Sequence, residues 1–208
     1  MKRRATAPPY PSLPTTAGDA STSAVVAATK VWLERAVIGL NLCPFAKAEF
    51  VNERIRYHVS PARSQADLLR DLADELTRLA AADPQVCETT LLIHPEVLSN
   101  FAAYNQFLDK ADAVLRRLQL EGTFQIASFH PRYQFADTDV DDITNFTNRS
   151  PHPMLHLLRE ASVARAVAGY PDASHIVERN LATLRRLGAK GWRELGIPGE
   201  VGQTPPGT

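Results

Sequence analysis

Cysteine is scarce: Cys43 and Cys87 are the only two in 208 residues. That is too few for a disulfide scaffold or a four-thiolate zinc site. Glycine is also sparse, and none of the 10 falls in the GxGxxG or GxxxxGK[ST] order that cradles nucleotide phosphates. Net charge is absent, with 23 basic side chains against 23 acidic ones, which excludes the broad positive footprint of a dedicated nucleic-acid binder. No apolar run approaches the roughly 18–20 residues needed to cross a bilayer, and the basic N-terminus has no apolar signal core. The expectation is a soluble, cytoplasmic protein with neither nucleic acid nor membrane as partner. What is present suffices for a core, since 44% of residues are hydrophobic and 22% charged.

Residues 1–23, MKRRATAPPYPSLPTTAGDASTS, hold prolines and small polar residues and offer almost nothing to bury, so they read as a disordered tail. Residues 196–208 read as a second, flexible tail, leaving 24–195 as a single domain. Within it Val25, Ala28, Trp32, Ala36 and Leu40 predict a first helix. Leu69, Leu72, Leu76 and Leu79 predict a second, opened by Ser64 as cap. Phe101, Tyr104, Leu108, Ala111, Leu115 and Leu118 predict a third. Between these lie three β-rich runs, IRYHVS, ETTLLIH and TFQIASFH, each closed by a proline. Two more helices are expected, from Ser150-Pro151 to about Ala168 and from about Ser174 to Leu187. The expected fold is α/β, a small mostly parallel or mixed sheet of about three strands with flanking helices in the order α-β-α-β-α-β-α-α.

The strand ends HVSP, LIHP and SFHP put Ser60, His94 and His130 at equivalent places, at the carboxyl edge if the strands are parallel. Open α/β sheets bind ligands there. Each imidazole reads either as bonded to a loop carbonyl at a strand exit or as a metal ligand or acid–base group. If Ser150 caps a helix whose first residue is Pro151, the helix amides and Arg149 would receive a substrate carboxylate or phosphate. On that helix His152, His156 and Glu160, spaced four apart, would share one side and could ligate a metal or pass a proton, or else form a solvated polar face. Cys43, in LNLCPFAK, is either a buried free thiol or a nucleophile awaiting a basic neighbour. The acidic run Asp137, Asp139, Asp141 and Asp142 lacks the glycine and distal glutamate of a calcium loop and reads as solvated.

The runs VIGLNLCPFAKA, ETTLLIHP, FLDKAD, ASFHPRYQFA, DDITNFTNRSPHPMLHLLREAS and IVERNLATLRRLG resemble the bacterial and plant proteins grouped as domain of unknown function 1415. The resemblance spans roughly Ala24 to Leu195. It implies that the family's motif positions fall on Cys43-Pro44, His130-Pro131, Asn148 through Pro151 and His156 through Glu160. Position 152 is often aromatic in that pattern, which weakens His152 as a ligand. A family is thereby implied, and no reaction.

Three functional readings are compatible with these residues. The first is a small-molecule enzyme at the carboxyl edge of the sheet, with His94, His130 and His156 as ligands of zinc or iron or as acid–base groups. In it Arg149 and Ser150 hold a small anionic molecule, and Cys43 and Glu160 are catalytic. The second is a non-catalytic binding or assembly protein, marked by a broad apolar patch. The third is a metal-free, cysteine-dependent enzyme with Cys43 beside one of the histidines. The oligomeric state is open.

Overall fold

The computed structural model describes residues 17–169 and 175–199. Among these, a sheet of four strands carries helices on both faces: α1 (Ala17–Trp32), continued by a π-helical turn at Leu33–Ile38, α2 (Ala46–Val51), β1 (Ile55–Val59), α3 (Gln65–Ala81), β2 (Thr89–Ile93), α4 (Phe101–Arg117), β3 (Phe124–Phe129), a 3-10 turn at Ile143–Thr147, β4 (Met154–Arg159), α5 (Glu160–Ala168) and α6 (Ile176–Glu194). The α/β class and the expected order of elements hold, with one extra strand, β4, and one extra helix, α2. Helix α1 starts at Ala17, inside the stretch expected to be a tail, whose residues 1–16 lie outside those described. At the other end Ile197 is 3% exposed and packs into the core, while 200–208 lie outside the described residues.

The strand order is β1-β2-β4-β3, with β1 and β2 parallel and β4 antiparallel to both of its neighbours. Strands β1, β2 and β3 therefore point one way, and β4 returns between β2 and β3. This overturns the helix expected from Ser150-Pro151. Pro151 and Pro153 push the residues before them into extended backbone, and the run MLHLLR is apolar toward both faces, as a central strand requires. Leucine's helical preference loses to the slot left open between β2 and β3, and the helix begins only at Glu160.

Strand alternation builds two cores. Leu92, Leu155, Leu157 and Phe124 pack under α3 and α4 with Leu68, Leu72, Leu76, Tyr104 and Phe107. Leu91, Ile93 and Met154 face the other way, against Trp32, Leu33, Val37, Leu184 and Trp192. The amphipathic stripes of α3 and α4 account for the first, with Ser64 capping α3 through the Asp67 amide and Asn100 capping α4 through the Ala103 amide. On the α3 face, Glu75 is 3% exposed and sits against Arg56 at 2.7 Å, Arg78 at 3.3 Å and His58 at 3.8 Å. Burial alone would raise its pKa. The bond from Arg56 and the charges of His58, Arg56 and Arg78 override burial and hold the pKa below the ordinary glutamate value.

Candidate functional site

The parallel strands bring Ser60, His94 and His130 to one edge, as the shared X-Pro endings predict. Both imidazoles are fully buried. His130 accepts the Arg132 amide on Nδ1 at 2.9 Å, so Nε2 carries its proton and donates to the Leu98 carbonyl at 3.1 Å. His94 donates from Nδ1 to the Val97 carbonyl at 3.0 Å. Together they hold the turn between β2 and α4, in which Leu98 takes the left-handed φ of 61°. A leucine there is strained by about 1–3 kcal/mol, and the two imidazoles on successive carbonyls help keep it in place. Tyr104 lies against both rings, its centroid 5.8 Å from His94 and 5.1 Å from His130. Burial lowers the pKa of His94 to about 4 and also lowers that of His130, so both are neutral at pH 7.

His156 lies elsewhere. It pairs across the sheet with Leu91 and Ala127 and so faces α1, opposite to His94 and His130. The three histidines cannot share a metal, and among the described residues no group of three or more His, Cys, Asp or Glu could hold one. Glu160 is likewise separated: it opens α5 beyond the far end of β4, its amide bonded to the Thr123 carbonyl at 2.9 Å. The spacing of four that would join His152, His156 and Glu160 on a helix puts them along a strand and into a helix start. Arg149 and Ser150 stand at no helix N-terminus. Arg149 donates Nε to the Tyr133 carbonyl at 3.2 Å and Nη2 to the Val140 carbonyl, with its guanidinium 4.3 Å from the Phe146 ring centroid. It fastens the long polar segment. Ser150 donates to the His152 carbonyl at 2.7 Å.

Asn145, which residue type alone does not single out, is the knot of that segment. Fully buried, it accepts from the Phe135 amide and the Thr138 hydroxyl and donates to the Asp139 carbonyl. Its signal is the polar run TNFTN within a segment that has no period. Asn148 adds a bond to the Ser128 carbonyl. The segment between β3 and β4 is thus built around internal hydrogen bonds.

Two cavities among the described residues matter here. One, of about 360 Å³, opens at the carboxyl edge and is lined by Pro95, Ser99, Asn100, Pro131, Arg132, Pro151, His152 and Pro153. Four prolines make its walls stiff. Arg132 is exposed there, and among the described residues no carboxylate lines it. The other, of about 320 Å³, lies on the α1 face of the sheet and is mostly apolar; Cys43 and His156 both line it. Burial pushes the Cys43 thiol up, despite opposing bonds from the Phe45 and Ala46 backbone, so it rests protonated. We expect alkylation of Cys43 by iodoacetamide to be slow at pH 7 and still accelerating at pH 9. A rate already level by pH 7 would mean a preformed thiolate.

No helix among the described residues is long and apolar enough to cross a membrane. No curated protein and no solved structure matches the chain. The family model described as protein of unknown function (DUF1415) matches residues 24–194, which span the whole sheet and both cavities, and the chain belongs to that family.

Proposed function

We propose that the protein takes a small anionic molecule, a carboxylate or a phosphate, into the carboxyl-edge cleft. The observation that carries this reading is the cleft lining itself, where Arg132 supplies a cation and, among the described residues, no carboxylate opposes it. Two further features support it. The cleft lies outside the carboxyl ends of β2 and β3, where open α/β sheets hold ligands. It also includes Ser99 and Asn100 at the start of the 17-residue α4, whose first amides have no partner within the helix and favour negative charge. Arg132 thereby takes the part that the sequence pattern assigns to Arg149. His94 and His130 act as positioning residues that shape the wall at Ser99 and Asn100. In an enzyme built on this cleft the acid–base group is His152, whose pKa burial lowers, so that it is neutral at pH 7 and able to accept a proton.

The assembly reading has less behind it. Exposed large apolar side chains among the described residues are valines at 51, 86, 140, 167 and 177, scattered over five segments. Titration with orthophosphate and with succinate, followed by calorimetry, tests the anion reading. Arg132→Ala is expected to weaken whichever anion binds by tenfold or more, about 1.4 kcal/mol, with unchanged far-UV circular dichroism. Equal affinity in the variant would remove the cleft from consideration.

A further inference from the structure

We infer that the cavity on the α1 face is a second, separate small-molecule site, and that its ligand is a hydrophobic amine. One proton decides the polarity of its wall. The Thr89 hydroxyl donates to the Leu157 carbonyl at 2.6 Å, and the same oxygen lies 2.8 Å from His156 Nε2. A hydroxyl has a single hydrogen, so toward His156 it can only accept. His156 must then carry its proton on Nε2, which leaves Nδ1 as a bare acceptor. The ring is partly exposed and lines the cavity. Burial moves its pKa down to about 4, so at pH 7 the Nδ1 lone pair stays open to a donor.

A second acceptor is independent of the first. Glu88 lines the same cavity, is only 9% exposed, and leaves Oε1 buried with no hydrogen-bond partner. An unmatched buried carboxylate oxygen is costly, and a donor from a ligand would relieve it. The cation of the lining, Arg159, gives Nη2 to the carbonyls of Leu79, Ala82 and Cys87, its guanidinium stands 5.5 Å from the Phe124 ring centroid, and its buried Nε bonds neither Glu88 nor any other group. Glu49, also in the lining, already pairs with Arg54 at 2.9 Å.

The rest of the wall is hydrocarbon and aromatic, including Trp32, Phe45, Phe129, Leu91 and Val163. Part of it, Leu33 and Val37, belongs to the π-helical turn, a feature frequent at functional sites. A volume of about 320 Å³ is at the lower end for small-molecule sites. Two acceptors, one of them a carboxylate oxygen with no hydrogen-bond partner, in an aromatic cavity select a ligand that brings N–H donors and positive charge on an apolar body. An anion would meet Glu88 unfavourably, which separates this site chemically from the carboxyl-edge cleft.

Three probes of matched shape test this: 2-phenylethylamine, 2-phenylethanol and ethylbenzene, titrated into the full chain with Trp32 fluorescence and protection of Cys43 from alkylation at pH 8 as readouts. The amine is expected to bind at least tenfold tighter than ethylbenzene, with the alcohol between them, and to shield Cys43. Glu88→Gln should bring the amine down to the level of the alcohol. Ala166→Phe, which places a ring on the α5 wall, should abolish binding of all three and so provides a second variant should Glu88→Gln not fold. Ethylbenzene binding as tightly as the amine, an amine affinity unchanged in Glu88→Gln, or no binding of any probe would overturn the inference.

Discussion

Lowering the pH from 6.5 to 4 is expected to remove several kcal/mol of stability, before most carboxylates have protonated. His94 and His156 have pKa values of about 4 in the folded chain, and burial also lowers those of His130 and His152. Unfolded, each returns to about 6.5. Between those values the unfolded chain binds more protons than the folded one, so stability rises with pH across the window. It is complete above about 6.5 and is lost progressively toward 4. For fully buried His94 the shift corresponds to about 3 kcal/mol. His156 contributes less, because its ring opens onto the cavity. Glu75 acts at lower pH: its folded pKa is depressed, so its contribution is present above the ordinary glutamate value and disappears as pH falls through the depressed one. Against a typical total of about 5–15 kcal/mol, the histidines alone bring the protein close to unfolding near pH 4. Urea denaturation at half-unit steps measures this. His156→Asn keeps a donor for Thr89, cannot titrate, and should flatten the slope in the window. A wild-type midpoint constant from pH 6.5 to 4 would contradict the burial of these rings as neutral species.

Tyr104→Phe carries the second large effect. The Tyr104 hydroxyl donates to the Met154 carbonyl at 2.8 Å and accepts the Phe129 amide at 3.1 Å. One fully buried oxygen thus joins α4 to the ends of both β3 and β4, just where those strands deliver His130 and Pro153 to the edge. Removing it keeps the ring and its packing on His94 and His130 but strands a buried carbonyl and a buried N–H. Each orphaned group costs about 1–3 kcal/mol, so a loss of about 2–4 kcal/mol is expected in urea or thermal unfolding. A loss under about 0.5 kcal/mol would place that hydroxyl in contact with water instead.

An element of this fold is legible in the sequence to the extent that it shows water one face. Helices α3 and α4 do, and their leucine and aromatic stripes stand out in the residue pattern; only detail differs, with Leu68 and Phe107 buried where the pattern points to Leu69 and Leu108. Strands β1 to β3 are marked by the prolines that stop them, and that punctuation also locates His94 and His130 at one edge. Strand β4 shows no such contrast. Its residues face cores on both sides, so MLHLLR carries neither a period of two nor a polar face and looks like a leucine-rich helix. Taking it for a helix displaces every site residue around it: Arg149 and Ser150 have no helix start to occupy, and His156 and Glu160 have no common side. The meeting of Cys43 with His156 in one cavity is illegible for another reason, since it depends on how α1 and α2 fold back over a strand more than a hundred positions later in the chain.

Anion binding at the carboxyl edge is read residue by residue when backbone amide NMR spectra are titrated with orthophosphate and succinate. One of these anions is expected to shift the signals of Ser99, Asn100, Phe101, Arg132 and His152 together along a single binding curve, while Thr89, Leu91 and His156 on the α1 face stay in place. Shifts confined to the α1-face cavity, or no saturable shift at the carboxyl edge with either anion, would contradict it.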